Sequence, residues 1–254
     1  MQMSEKYEQA RFMANSVSLV FPRQHTIRRL ANEFEDVLHG DYSQPQLLGV
    51  PDDFEPEAPR IIFPSINGFS SIVISQVTMA INVNYSDEWQ RNIEQGRQYL
   101  IKKTKLLFHM FEFIKRTSRN TRPQFLGLVT LAQVKANMSD NDIIAAVAAS
   151  LGVKIPKQDP HELLHKWTTI HGQQFFNNIT VQNYRRWQVP GPAFSLVELR
   201  TKDAFERGIQ VTGDFNDRYA YQEDNGRYAP SASASEKLIN LGIEQVQDAL
   251  RSFQ

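Results

Sequence analysis

Cysteine is missing from all 254 residues, which excludes disulfides, thiolate nucleophiles and cysteine-ligated metals together. Long apolar runs are missing too. The greasiest stretch, Leu106–Ile114, contains His109 and Glu112, and nothing approaches the ~18 residues that a membrane span needs. Charge of one sign is not in excess, because 28 basic residues are matched by 28 acidic ones. That balance argues against a dedicated nucleic-acid binder and leaves room for a local basic patch. There is no Gly-rich phosphate loop, no nucleophile elbow and no kinase signature. Met1–Arg11 is polar and carries Glu5, Lys6 and Glu8, unlike a secretory leader. The expectation is a soluble, cytoplasmic chain without a membrane partner.

What is present is ordinary globular composition, with 41% hydrophobic and 22% charged residues in a chain long enough to bury a full core. The organising stretch is Ser70–Ile114, which holds an unbroken alternation over Gln76–Tyr85. Val77, Met79, Ile81, Val83 and Tyr85 alternate there with small or polar residues, which is a half-buried strand. Ser86 and Asp87 then offer N-caps to a long helix over 87–116. Its first half is polar, whereas Leu100–Ile114 is apolar almost all round, which suits either a central core helix or a subunit contact. Gly96 within it marks the close approach of another backbone.

Before this pair, Ser16–Phe21 reads as a strand and His25–Leu38 as an amphipathic helix stopped by Gly40. Residues 41–59 form an acidic, proline-rich loop, and Asn67-Gly68 signals a hairpin. After it, Phe125–Val134 suits an interior strand, and Ser139 or Asp140 caps a helix over Asp142–Leu151 closed by Gly152. A second helix is expected from Pro160. Phe175–Val189 and Phe194–Arg200 read as a hairpin bent at Pro190-Gly191-Pro192, with more strand over Gly208–Tyr221 interrupted near Gly213–Asp217. Ser233 and Glu236 stand in capping-box spacing before a last helix with face Ile239, Ile243, Val246, Leu250 and Phe253. The expected fold is α+β, a mainly antiparallel sheet packed by helices. One domain over 1–254 is expected, with two similar sub-halves, 1–122 and 123–254.

Two stretches carry chemistry. In His161-Glu162-Leu163-Leu164-His165, histidines four apart on a helix could share one zinc, with Glu162 as base toward the metal-bound water. His171 follows ten residues after His161. Over these eleven residues the chain resembles the metzincin peptidase motif, which implies zinc held by His161, His165 and His171. Thr168 stands where that family has glycine, and the last methionine here is Met138, so its downstream methionine turn is absent. Asp159 as N-cap, Pro160 at N1 and Glu162 at N3 equally describe a plain capped helix. The other stretch is the basic cluster Lys115, Arg116, Arg119 and Arg122 at the end of the long helix, joined by Arg185 and Arg186 within Tyr184-Arg185-Arg186-Trp187. Arginine forks suit phosphates, and basic–aromatic strands suit single-stranded nucleic acid. Cations at a helix C-terminus also complement its dipole without any ligand.

The succession of strand Ser16–Phe21, helix His25–Leu38, strand Val77–Tyr85 running into Ser86-Asp87-Glu88-Trp89, and strand Phe125–Lys135 resembles a group of sporadically distributed bacterial α+β proteins of unknown function. The resemblance implies a bacterial accessory factor and carries over no catalytic residue. With no complete catalytic set, the expectation is a non-catalytic binding protein that acts through a protein partner. It is expected to be a homo-oligomer, most simply a dimer through the long helix. A zinc hydrolase and a nucleic-acid binder are the alternatives.

Overall fold

The computed structural model describes residues 6–118, 121–155, 160–188 and 200–253. In chain order these form β1 (Arg11–Val20), a 3-10 turn at Ile27–Leu30 leading into α1 (Ala31–Leu38), β2 (Gln46–Leu47), β3 (Ile61–Pro64), β4 (Ser70–Ile74) and β5 (Thr78–Asn84). The short α2 (Asp87–Gln90) and long α3 (Ile93–Thr117) follow. Then come β6 (Phe125–Lys135), α4 (Asp140–Ser150), β7 (Leu164–His171), β8 (Phe175–Arg186), β9 (Glu206–Asn216), α5 (Arg218–Glu223) and α6 (Ala232–Arg251). The strands make one nine-stranded antiparallel sheet in the order β2-β3-β4-β5-β1-β6-β9-β8-β7. The fold is α+β, as the sequence leads one to expect.

The chain traces one plan twice. Each time a long strand at the sheet centre is followed by a helix, a meander returning to the centre, a short helix and a long helix. β1 and β6 meet at the middle, so β5, β4 and β3 correspond to β9, β8 and β7, and α3 corresponds to α6. In the first half β2 lies outside β3, whereas among the described residues nothing pairs with the outer side of β7.

Register fixes the two faces. Met79, Ile81 and Val83 sit beside Leu19, Val17 and Asn15, which sit beside Leu126, Leu128 and Thr130, and the row continues through Phe215 and Val211. All of these are buried. They form the helix-covered face, where α3 lies on β1 and β5 and α6 lies on β6 and β9. Fully burying one aliphatic side chain is worth roughly 1.5–3 kcal/mol, so this layer is the main stabilising term. On the other face, Ser71, Asn82, Ser16, Val129, Asp214, Asn178 and Thr168 run in one transverse row across seven strands. Helix cover on that side comes from α5, whose Tyr219 and Tyr221 meet Phe176 and Phe125 at one end. An antiparallel sheet with one packed and one solvated face requires the period-two alternation seen in β1 and β5.

Several boundaries differ from expectation. The long helix is interrupted at Arg91-Asn92, because Asn92 caps α3 by accepting from the Gln95 amide. In α3, Leu100, Leu107, Met110, Phe111 and Ile114 are buried, while Lys102, Lys105, His109 and Glu112 face out. Its apolar residues pack against the core of the same chain. Gly96 admits the ring of Tyr85 of the same chain, 3.1 Å from where a Cβ would stand. Ser231, two residues before the expected Ser233, caps α6. β9 runs unbroken through Gly213. The bend at Pro190-Gly191-Pro192 and most of the strand expected after it lie outside the described residues. The helix expected from Pro160 is not formed: Leu164–His171 is strand β7, and its hairpin partner is β8.

Candidate functional site: the β7 edge

The eight residues of β7 contain Trp167-Thr168-Thr169-Ile170, a run of aromatic and β-branched side chains that favour a pleated strand over a helix. The β7–β8 hairpin turns at Gly172 and Gln173, both with positive φ, of 58° and 52°. Pairing then runs from Leu164 opposite Gln182 to His171 opposite Phe175.

The hydrogen-bond phase of this ladder can be read from its end. Asn183 N donates to Leu163 O across the pair that precedes Leu164–Gln182. In an antiparallel ladder, hydrogen-bonded and non-hydrogen-bonded pairs alternate. His165, Trp167 and Thr169 therefore exchange bonds with β8. The N–H and C=O groups of Leu164, Lys166, Thr168 and Ile170 point away from the sheet, with no strand among the described residues to receive them. Their side chains lie on the solvated face, where Leu164 is 63% and Ile170 51% exposed. On the helix side, Leu163 and Trp167 pack against the core, with the His165 ring 5.7 Å from the Trp167 ring.

The opposite edge is built differently. β2 has only two residues, follows Pro45, and its flanking loop is clamped from inside. Arg60 is fully buried and donates to the carbonyls of Ala58 at 2.6 Å, Pro51 at 2.9 Å and Glu55 at 3.2 Å. Arg28 donates to Leu48 O and Val50 O and pairs with Asp52, and Arg23 donates to Asp52 O. A short edge strand next to proline is a poor template for further pairing, whereas a long, flat edge with exposed aliphatics is a good one.

The strand geometry also decides how the sequence candidates lie. On an extended chain four residues span ~13 Å and ten span ~33 Å, so His161, His165 and His171 are strung out rather than gathered about one point. His161 is further marked by a cation: its carbonyl accepts from Arg185 Nη2 at 2.7 Å, and its ring Nε2 lies 3.4 Å from Arg185 Nη1. Glu162 is exposed. Among the described residues no group of three or more histidine and acidic side chains is arranged to hold a metal.

The basic candidates separate as well. Lys115 bonds Glu112, the Arg116 guanidinium lies over the Phe113 ring at 4.9 Å, and Arg122 is exposed; Arg119 is outside the described residues. Arg185 and Arg186 stand at the other end of β6 and are committed to carboxylates. Arg185 pairs with Asp140 at 3.1 Å, with 6% of its side chain exposed. Arg186 pairs with Glu206 at 3.5 Å and donates to Gln133 at 2.8 Å. Glu206 also accepts from Arg11 at 2.8 Å and from the Tyr184 hydroxyl at 2.9 Å. Burial, then this carboxylate, raises the Tyr184 pKa. Arg185 of Tyr184-Arg185-Arg186-Trp187 thus closes an ion pair with the first turn of α4, and Arg186 one with β9.

Sequence reasoning missed buried polar groups, Lys103 and Asp217 among them. Lys103 is buried on α3, where it pairs with Asp41 at 2.8 Å and lies over the rings of Tyr42 and Tyr99. Asp217, fully buried at the end of β9, accepts from Leu126 N at 2.6 Å and from the Tyr228 hydroxyl at 2.7 Å, and burial pushes its pKa up to about 6. Neither shows a local signal, because a single lysine in a basic helix and an aspartate in a turn are ordinary.

No protein-family model and no curated protein matches the chain.

Proposed function

We propose that this chain is a non-catalytic, cytoplasmic interaction protein that binds a protein partner by strand addition at β7. One observation carries the reading: an eight-residue edge strand with outward main-chain groups and exposed Leu164 and Ile170, in a fold whose other edge is blunted. In strand addition, main-chain hydrogen bonds supply affinity and alternate side chains supply selectivity. The test uses Thr168→Pro, which deletes an outward N–H and leaves the β8 ladder intact. The tagged variant is expected to keep the wild-type circular dichroism spectrum and to lose the proteins that co-purify with the wild-type chain, while Lys105→Glu on α3 retains them. Equal recovery by Thr168→Pro would refute strand addition. Stoichiometric zinc, lost in His165→Ala, would instead favour the hydrolase reading.

A second reading is supported by the outer side of α3. Lys102, Lys105, His109 and Arg116 are exposed there, and Glu112 is the only acid between Gln98 and Thr117. A nucleic-acid contact on this stripe would weaken steeply with salt and disappear in Lys105→Ala with Arg116→Ala.

A further inference from the structure

We infer that the strand received at β7 is the β7 of a second copy of this chain, paired antiparallel about a two-fold axis through Trp167. The inference rests on the strand-addition reading and names its partner.

Three constraints select that register. Residues opposite one another in an antiparallel pair point to the same face, so a two-fold axis between identical strands passes through a residue. Next, the outward N–H and C=O groups belong to Leu164, Lys166, Thr168 and Ile170. An axis at Trp167 sets Leu164 of each copy opposite Ile170 of the other and Lys166 opposite Thr168, so all four residues exchange hydrogen bonds, about eight in total. Finally, the two exposed aliphatics are equidistant from Trp167 and meet each other across the axis. An axis at Thr168 would set Ile170 against Lys166 and Leu164 against Gly172. An axis at Lys166 would set Ile170 against Glu162 and Leu164 against Thr168. The Trp167 register alone matches apolar with apolar and sets no like charges directly opposite, where they would be destabilising.

The helix side adds to this. Trp167 of one copy faces Trp167 of the other as a non-hydrogen-bonded pair, flanked on each side by His165 opposite Thr169. Because β2 is too short to receive another strand, pairing closes at two copies and does not run on into a filament. The second β7 does for the C-terminal half what β2 does for the N-terminal half: it covers the outer strand of the meander.

The absence of cysteine makes the register directly testable. Non-hydrogen-bonded pairs hold Cα atoms ~4.5 Å apart, within the span of a disulfide. His165→Cys with Thr169→Cys should cross-link into a covalent dimer on mild oxidation, and Thr169→Cys alone should not. Light scattering at high micromolar concentration should give twice the 29.2 kDa chain mass. Leu164→Glu with Ile170→Glu places carboxylates opposite one another and should return the single-chain mass. Leu164→Lys with Ile170→Glu places opposite charges there and should restore the doubled mass. A wild-type monomer at these concentrations overturns self-pairing and leaves strand addition to a different protein standing. A dimer that fails to cross-link, or that does not distinguish the two charge variants, overturns the register. A dimer that persists in Thr168→Pro overturns self-pairing through β7, while strand addition to a different protein falls only if Thr168→Pro also recovers the co-purifying proteins equally.

Discussion

Asp217 shows how one buried side chain ties distant parts of the chain together and what it costs. Its carboxylate accepts from the Leu126 amide at the start of β6 and from Tyr228 beyond α5. Desolvation outweighs both hydrogen bonds and raises its pKa from 3.8 to about 6. A carboxyl whose folded pKa lies above its unfolded value favours folding when protonated. That contribution is fully present below about pH 4 and is lost as pH rises through about 6. A shift of this size corresponds to roughly 2–3 kcal/mol. Asp217→Asn keeps one acceptor, for the Leu126 amide, turns an NH2 donor toward the Tyr228 hydroxyl, which can accept it, and removes the charge. The variant should therefore lack the stability loss that the wild type shows between pH 4 and 7, as measured by urea midpoints across that range. An identical pH profile in the two proteins would show that the buried carboxylate does not titrate there. Arg60 makes a related point with the opposite sign, since both Nη groups of its buried guanidinium donate to carbonyls of the loop it organises. Neither role was legible in the sequence: the Leu126 amide lies 91 residues from Asp217, and nothing in a proline-rich loop marks which of its carbonyls Arg60 will reach.

Elements were legible where a single period persisted. β5 and α6 follow from alternation and from a 3.6-residue stripe, and burial of Met79, Ile81 and Val83, and of Ile239, Ile243 and Val246, follows those patterns. β7 was not legible, because a helix-cap pattern at Asp159–Glu162 and a histidine spacing of four both suggest a helix. The β-forming run Trp167–Ile170 and the β8 ladder prevail over that short-range signal. The candidate site changed its chemistry with its secondary structure: histidines that would converge on a helix are spread along a strand, and the same segment gains a free main-chain edge. Contact between helix and sheet also sets demands that periodicity cannot reveal. A Cβ on Gly242 of α6 would stand 2.5 Å from Leu128 Cδ2 and 2.7 Å from Phe215 Cδ2. Gly→Ala inside a helix ordinarily gains up to ~1 kcal/mol, while overpacking a filled core costs ~1–3 kcal/mol. Both neighbours belong to the buried sheet layer, so the steric cost prevails. Gly242→Ala should lower the urea midpoint by an amount worth about 1–2 kcal/mol with an unchanged slope, and a raised midpoint would mean that α6 lifts freely from the sheet.

At the scale of the whole molecule the twofold plan raises the question of whether the halves are separable. The β1–β6 pairing runs from Arg11–Gln133 to Val20–Phe125 at the centre of the sheet. Val17, Leu19, Leu126 and Leu128 are at most 1% exposed along it, and α3 packs against α6 above it. The Arg11–Glu206 ion pair spans the same boundary on the solvated face. Parting the halves would expose this whole layer and leave two central strands as open edges, so neither half is expected to outlast the other. The tryptophans report on each half separately, with Trp89 in the first and Trp167 and Trp187 in the second. In Trp89→Phe, fluorescence follows the second half alone, and in Trp167→Phe with Trp187→Phe it follows the first. At one protein concentration each variant's urea curve should coincide with its own circular dichroism curve, with a single midpoint. Holding concentration fixed matters, because pairing through β7 would raise the midpoint as protein is added. If the fluorescence curve of one half departs from the overall loss of secondary structure, the central seam does not couple them, and the repeated plan describes two folding units that share a sheet.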